Sequence, residues 1–415
     1  MTPVVAAERE MVKQADVVVI GSGGLGAATA FYLVKRGADR VVLVDKYELG
    51  SQTSPRAAGM GAQARPNDLM VELMKQAGEK LTRFTEDTGQ PLEWIRPGSL
   101  KAARRAQDVA VLESECARAR RFGFEAELIS AQAAHQLNPF LEPSGVLAVM
   151  HVPEDLVFEP SQVAIGFARA AEAHGARTLP HTTVTGVRVD DGQVTAVETD
   201  SGPIETPVVV DTAGAWTRQV AAASGIRIPI VPTRHQLFTT EPLAGVHADL
   251  PIVRIMDAAV YMRPCDGGLL WGGFEENPRE FDMDALASSF QIKDMELDPD
   301  VLWRLAQAVK AQLPILLETT VREHRGGLPT MTADGLHIVG PAPAARGFFI
   351  AGGCNVAGLS ISPAIGDALA AWILDGAPPL DLAALSLERF GTQPLPEDQL
   401  GRDAAWQYRH FYGTT

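Results

Sequence analysis

Cysteine is scarce. Cys116, Cys265 and Cys354 are the only three in 415 residues, and no two lie close enough for a CxxC pair or half a zinc knuckle. A disulfide framework is therefore excluded, and free thiols fit a reducing cytoplasm. Basic residues are also few: 36 Lys and Arg face 51 Asp and Glu, for a net charge of −15. Such a balance argues against a nucleic-acid or anionic-membrane surface, which needs a concentrated basic patch. No apolar run approaches the roughly eighteen residues of a membrane span. Residues 1–15 carry Glu8, Arg9, Glu10 and Lys13 with no apolar stretch among them, so they do not read as a secretory leader. Internal repeats, low-complexity tracts and a clean flexible linker are missing too. What remains is an ordinary globular composition, 46% hydrophobic and 21% charged. The length suits two or three domains, or one large interrupted one.

The most informative segment comes early. Asp16-Val17-Val18-Val19-Ile20 is a β-branched run, as expected of a strand buried on both faces. It enters Gly21-Ser22-Gly23-Gly24-Leu25-Gly26, after which Ala27 to Arg36 reads as a helix stopped by Gly37. A second run, Arg40 to Val44, ends on Asp45, completing a β-α-β unit. In that setting each glycine of G-x-G-x-x-G has a task. Gly21 permits the turn, Gly23 lets backbone approach a pyrophosphate, and Gly26 lets the helix pack on the strand. The helix start offers free N–H groups and the positive end of its dipole. Asp45 follows Gly26 by about 20 residues, where a carboxylate accepts from ribose hydroxyls and repels a 2′-phosphate. The loop signals a dinucleotide without separating NAD from FAD.

Further along, helices are expected over 68–88, 104–122, 162–174 (with Ser161 as N-cap) and 299–312. Strands are expected over 183–189, 194–199, 206–211, 235–240, 252–263, 268–274, 336–340 and 347–351. Asp190-Asp191-Gly192 signals a hairpin. Two segments favour a flavin. Val208 to Trp216 is a hydrophobic strand entering a small-residue turn, where backbone can pass close to a dinucleotide. Gly352-Gly353-Cys354-Asn355-Val356-Ala357-Gly358 then precedes a helix from Ser360 to Leu374. The positive end of that helix suits the negative charge a reduced flavin gathers at N1 and the C2 carbonyl.

The order of these pieces resembles the D-amino-acid oxidase, glycine oxidase and sarcosine oxidase superfamily of FAD amine oxidoreductases. The matching stretches are VVVIGSGGLGAATAFYLVKRG, VVLVDKYELGSQTSPRAAG, DLVFEPSQVAIGFARAAEAHGA, VVVDTAGAWT, AVYMRPCDGGLLWGGFEENP and GGLPTMTADGLHIVGPAPAARGFFIAGGCNVAGLSISPAIGDALAAWI, which together reach from about residue 16 to 375. GGLLWGGFEENP and TRHQLFTTEP look most like the dimethylglycine dehydrogenase and oxidase branch. The resemblance implies an α/β architecture: a Rossmann-like FAD-binding domain in discontinuous pieces (1–90, 151–225 and 322–385), a sheet-based substrate domain (91–150 and 226–321), and a C-terminal tail (386–415). It assigns the cofactor to Gly21, Gly23, Gly24, Leu25, Gly26, Asp45, Lys46, Thr53, Ser54, Arg56, Ala57, Val184, Ala213, Gly214, Trp216, Gly327, Gly353, Asn355, Val356, Ala357, Gly358 and Leu359.

Departures from the family shape the remaining expectations. Where dimethylglycine and sarcosine dehydrogenases carry a flavin-linking His, this chain has Arg56. The tethering Cys of monomeric sarcosine oxidase falls at Gly327. FAD is therefore expected to be held non-covalently. That oxidase's oxygen-activating Lys falls at Leu270 and its carboxylate-gripping Lys at Ser360, while the carboxylate Arg of glycine oxidase falls at Pro329. The candidates for chemistry are Tyr261 and Arg263, alternating on one strand face, with His235 as acceptor of the amine proton and Arg56 near the flavin. Arg65, and more weakly Arg322, His324 and Arg325, follow. The activity implied is oxidation of a small secondary or tertiary amino acid (sarcosine, dimethylglycine or iminodiacetate). Hydride passes to flavin N5, the imine hydrolyses, and O2 reoxidises the flavin with release of H2O2. Transfer of electrons to a partner subunit is the alternative. A flavin-binding protein without amine chemistry is another.

Overall fold

The computed structural model describes residues 12–391, 393 and 395–413. Glu8, Arg9 and Glu10, on which the absence of a leader was read, lie outside them.

Two large sheets organise the chain. The first has six strands, in the order Ile338–Pro341, Phe348–Gly352, Val209–Asp211, Val17–Ile20, Val41–Val44 and Arg177–Leu179. All neighbours are parallel except Ile338–Pro341, which runs antiparallel to Phe348–Gly352. Alternation along Val17–Ile20 divides its side chains between two cores. Val17 and Val19 pack with the helices Gly24–Lys35, Pro160–Ala173 and Gly358–Asp375. Val18 and Ile20 pack towards a three-stranded sheet, Val184–Asp190, Gln193–Thr199 and Ile204–Glu205. Both faces are thus covered, which is why VVVI and VVLV read as unbroken apolar runs.

The helices Gly24–Lys35 and Gly358–Asp375 cross in close contact. A Cβ at Gly366 would lie 2.7 Å from Ala28, and one at Gly24 would lie 2.8 Å from Leu359 Cδ1. Their N-termini are therefore brought side by side, from positions more than 300 residues apart. Pro363 sits inside the second helix and removes the N–H that would bond the Leu359 carbonyl. The Ser362 hydroxyl donates to that carbonyl instead, at 2.8 Å.

The second sheet has eight strands, in the order Val321–Gly327, His235–Thr240, Gly268–Gly273, Val260–Cys265, Ile252–Ile255, Ser99–Ala103, Ala148–Val152 and Glu127–Ile129. Several expectations change here. The single strand expected over 252–263 is a hairpin, broken where Ala259 takes φ +51°. The helix expected from 162 begins at Pro160, because Glu159 rather than Ser161 supplies the capping oxygen. Residues 321–327 pair with His235–Thr240 in the larger sheet, although 322–385 was assigned to the nucleotide part. Within the segment expected as a tail, Glu397–Arg409 is a helix whose Leu400, Ala404 and Tyr408 are buried among residues of the eight-stranded sheet. No helix among the described residues is long and apolar enough to cross a membrane.

Candidate active site

The two adjoining helix starts open on a pair of connected cavities. One, of about 270 Å3, is lined by Gly21, Asp45, Lys46, Tyr47, Val184, Ala213 and Trp216. The other, of about 230 Å3, is lined by Leu25, Arg56, Ala57, Gly327, Val356, Ala357, Gly358 and Leu359, and continues to Arg65, His235 and Tyr261. Gly23, Thr53, Ser54, Thr212 and Gly214 belong to both and form the throat between them.

Local sequence explains the throat. Gly21 has φ +92°, and a Cβ there would meet the Thr212 carbonyl at 2.6 Å. Gly26 faces backward onto the turn: its Cβ would fall 1.9 Å from the Gly21 carbonyl, so the third glycine acts by packing and lines neither cavity. Asp45 accepts from the Ser22 N–H and hydroxyl at 2.8 and 2.6 Å and from the Tyr47 N–H at 2.8 Å. Of the roughly four lone-pair positions of a carboxylate, about one is left for a ribose hydroxyl. Burial raises its pKa, and those donors act against the rise. Lys46 lies over the Tyr47 and Trp216 rings at 5.3 and 5.9 Å, and all three line the first cavity together with Val184. The Ser54 hydroxyl accepts from Gly24 N–H at 2.9 Å and so sits at the helix start.

These features fit a dinucleotide of FAD's size and polarity. Bare backbone and a helix tip face the throat, a carboxylate with a free position borders the first cavity, and a second helix tip borders the other. Of the residues expected at the cofactor, Gly353 and Asn355 do not line the cavity. They build its turn: Asn355 Oδ1 accepts from Thr332 N–H and its Nδ2 donates to the Gly353 carbonyl. Cys354 does line it, with its sulfur accepting from Thr330 N–H at 3.4 Å.

The inner part of the second cavity is made by side chains of the eight-stranded sheet. Cross-strand pairing places Met150, Lys101, Arg254, Tyr261 and Gly272 in one lateral row, and paired residues share a face. All but Gly272 line the cavity. Gly272 is part of the design: a Cβ there would lie 2.7 Å from the Tyr261 hydroxyl. Without one, the Tyr261 ring reaches across to His235, whose Nε2 is 2.9 Å from Tyr261 Oη. His235 Nδ1 is 2.8 Å from the hydroxyl of Tyr408, in the C-terminal helix. Burial pushes the His235 pKa down to about 4, so the ring is neutral, and both its nitrogens are occupied. It therefore presents no lone pair to a substrate amine.

Six charged residues line this cavity: Arg56, Arg65, Lys101 and Arg254 against Glu115 and Asp155. The acids are engaged. Glu115 accepts twice from Lys101 Nζ, at 2.8 and 3.0 Å. Asp155 accepts from Gln63 N–H, the Ser99 hydroxyl and Arg254 Nη1 at 2.8, 2.7 and 3.3 Å. Tyr412, from the C-terminal segment, lines the same cavity as Arg254, whose charge acts on it. Among the described residues the Arg65 guanidinium makes one hydrogen bond, to the Met74 sulfur at 3.7 Å, and its buried Nε has no partner. Burial and the neighbouring Arg254 bring its pKa down to about 10, which leaves it charged. Arg56 Nε likewise has no partner. Asp155 and Glu115 act on Arg65, and Glu323 on Arg56, only from beyond ion-pair distance; a buried cation without a directly bonded acid is costly, and among the described residues two such cations face this cavity.

Arg263 differs. Its guanidinium donates to the carbonyls of Ala58 and Pro264 at 2.6 and 2.8 Å, so it braces the wall instead of lining the cavity. Arg322 pairs with Asp266, Arg325 with Glu323, and His324 bonds Gln236; none of the three lines the cavity, though Arg325 also donates to the carbonyl of the lining residue Ala57 at 3.4 Å. Leu270 is fully buried in the core. Sequence reasoning missed Arg254, Lys101, Asp155, Glu115, Tyr408 and Tyr412. A usable signal was present in two places: a lone charge inside an otherwise apolar strand, Arg254 in IVRI and Lys101 in SLKAA.

Comparison with known proteins agrees with this geometry. The chain is 33% identical over 382 residues to mitochondrial sarcosine dehydrogenase of Mus musculus, covering 91% of this chain and 41% of that protein. It is 29% identical to the mitochondrial pyruvate dehydrogenase phosphatase regulatory subunit of Mus musculus, over 91% of this chain and 43% of that one. It thus spans less than half the length of these relatives. Among solved structures, L-proline dehydrogenase from P. horikoshii superposes with a TM-score of 0.83 at 24% identity, covering 93% of this chain and all of that one, which establishes the shared fold. Residues 16–372 match the family model for FAD dependent oxidoreductases. The chain belongs to the FAD dependent oxidoreductase family.

Proposed function

We propose that this chain oxidises the C–N bond of a small N-substituted amino acid, such as sarcosine, dimethylglycine or iminodiacetate, to an imine that hydrolyses. When bound, FAD supplies the two-electron acceptor for the C–H bond next to nitrogen. Positioning is the protein's task. Arg65, with Arg254 and Tyr412 beside it, holds the substrate carboxylate; a guanidinium matches a carboxylate in a bidentate fork. Arg56 supplies positive charge on the cofactor side. The aromatic walls Phe274, Phe411 and Tyr412 exclude water, which strengthens each of these charge contacts. Within this reading Arg263 supports the wall and His235 does not accept the amine proton.

The observation that carries the proposal is the unpaired Arg65 guanidinium in the cavity that also receives both helix tips. A carboxylate-bearing substrate is what that cation lacks. Saturation kinetics with the three amines and matching amines lacking the carboxylate test it: turnover is expected only with the acids. Equal turnover of the decarboxylated amines would overturn it.

Electrons pass from the cofactor to O2, with Arg56 supplying the charge that Leu270 does not. Stopped-flow reoxidation in air within seconds supports this; many minutes supports a partner acceptor. FAD is held non-covalently, since Arg56 and Gly327 occupy the tethering positions. Acid precipitation is expected to leave the colour in solution, and a yellow pellet would contradict it. Three free thiols fit a reducing cytoplasm. A second reading, a regulatory flavoprotein without turnover, draws on the likeness to the phosphatase regulatory subunit. It predicts bound FAD that no amine reduces.

A further inference from the structure

We infer that Arg118, on the helix Ala106–Arg121, is a positioning residue: it fixes the backbone of Arg65 and so sets where that guanidinium stands in the cavity to meet a carboxylate. The inference rests on the amine-oxidoreductase reading for the carboxylate being a substrate's, but not for the coupling of Arg118 to Arg65.

Arg65 lies in residues 62–67, a stretch without helix or strand between the short strand Met60–Gly61 and the helix Asp68–Thr82. A charge on such a stretch keeps its place only if the backbone beneath it is tied. On one side, Gln63 N–H donates to Asp155 Oδ1 at 2.8 Å. On the other, Asn67 Oδ1 caps the next helix by accepting from Met70 N–H at 2.9 Å. Between these ties, Arg118 Nη1 donates to the Arg65 carbonyl at 3.2 Å. Pro66 confines Arg65 to extended backbone, and the bond from Arg118 then holds the direction of its carbonyl. The side chains of the stretch run along the next helix. The Arg65 guanidinium reaches the Met74 sulfur, and a Cβ at Gly78, one turn on, would stand 2.6 Å from Gln63 Nε2.

Arg118 is itself aimed. Its Nε donates to Asp68 Oδ1 at 3.1 Å, and Arg121 Nη2 reaches both oxygens of that carboxylate, at 2.8 and 3.0 Å. One guanidinium thus spans the start of a helix and the carbonyl of the cavity-lining arginine. Glu115 sits one turn earlier on the same helix face, where it bonds Lys101 within the cavity. Lys75 Nζ donates to the Phe122 carbonyl at 3.1 Å and ties the two helices together. The Asp68 side chain is 59% exposed, so its ion pairs contribute little to stability. Their effect is on placement: a misplacement of about 1 Å is enough to spoil a two-point fork on a carboxylate.

That separation of stability from placement supplies the test. Acetate is titrated into the FAD-loaded protein and followed by the change in flavin absorbance, with amine kinetics alongside. Arg118→Met is expected to weaken acetate about tenfold, the worth of one hydrogen bond. KM for the acids should rise by a similar factor with kcat nearly unchanged, while FAD affinity and the denaturant midpoint stay close to wild type. Arg118→Lys is expected to recover part of the loss. In an Arg65→Met background, Arg118→Met is expected to add nothing, since both act through one guanidinium. Unchanged acetate affinity in Arg118→Met, or equal losses with and without Arg65, overturns the inference; a lowered midpoint with unchanged acetate affinity assigns Arg118 to structure alone. Should Arg118→Met not fold, Asp68→Asn decides by the same rule, with acetate expected to weaken about threefold only when Arg65 is present. If the acetate coupling holds and no amine reduces the flavin, the functional reading fails while the positioning stands by itself.

Discussion

The two ends of the continuous cavity are built by opposite means. At the nucleotide end the protein removes side chains: Gly21, Gly23 and Gly24 clear space, and backbone N–H groups of two helix tips face inward. At the substrate end it gathers five charged side chains and a phenol from six separate places, Arg65, Lys101, Glu115, Asp155, Arg254 and Tyr412. Backbone recognition needs a fixed local spacing, so it is written as a motif. Side-chain recognition needs only that distant strands fall into register, and it leaves almost no local trace. The contrast also predicts how each end fails. Changes at the first should abolish cofactor retention, and changes at the second should spare it.

The sharpest way to break the comparison is Gly26→Val. A side chain there collides with the Gly21 carbonyl and Thr212 Oγ1, at 1.9 and 2.3 Å from the Cβ alone. The purified protein is expected to be colourless and to take up no FAD on titration. Retention of normal affinity would show that the glycine turn is not what shapes the throat.

Arg65→Met is expected to do the reverse. FAD binding, followed by fluorescence quenching, should be unchanged, while kcat/KM falls by about 10²–10³, as for truncating one partner of a buried charge pair worth ~3–4 kcal/mol. Arg65→Lys should recover part of that loss, because the charge returns without the fork. A variant that loses FAD as readily as substrate would erase the distinction between the two ends.

A smaller effect belongs to Asp45→Ala, which removes the acceptor for Ser22, Tyr47 and the ribose. FAD affinity measured by titration is expected to weaken by about 10–100-fold, the range of one or two charge-assisted hydrogen bonds, with kcat unchanged once FAD is saturating.

Sequence reasoning followed this same divide. The β-α-β unit, the carboxylate at its end, the Asp191-Gly192 turn with both residues at positive φ, and the late glycine turn before a helix were all legible, because each depends on neighbours in the chain. The meeting of the two helix tips was legible only through family resemblance. Arg263 looked like the carboxylate partner because it alternates with Tyr261. That argument gave the face of the strand but not the two backbone carbonyls that take up its guanidinium. Arg254 was the better candidate and was hidden in a stretch read as one strand, where the turn at Ala259 was not recognised. Tyr408 was assigned to a tail because a short amphipathic helix at a chain end carries no sign of what it packs against.

The smallest expected effect concerns pH and stability. The folded protein holds His235 at a pKa of about 4, below the usual value near 6.5. Between those values the unfolded chain binds a proton that the fold does not, so this group's contribution falls as pH drops from about 6.5 towards 4 and is constant above. His337, held down to about 3 by burial, acts with the same sign. Asp211, held up to about 8 by burial, acts with the opposite one, its stabilisation being lost as pH rises through 8. Denaturant melts of wild type and His235→Gln across pH 4–7 separate them: the variant should lose about one proton's worth of slope. Identical slopes would place His235 in contact with solvent.

The most direct test is anaerobic titration of the FAD-loaded protein with sarcosine, dimethylglycine and iminodiacetate, followed by flavin absorbance. Full bleaching by at least one of them, abolished in Arg65→Met at the same concentration, is the predicted result. A flavin that stays oxidised with every amine, in a protein that binds FAD normally, would contradict the account and leave the cavity with some other use.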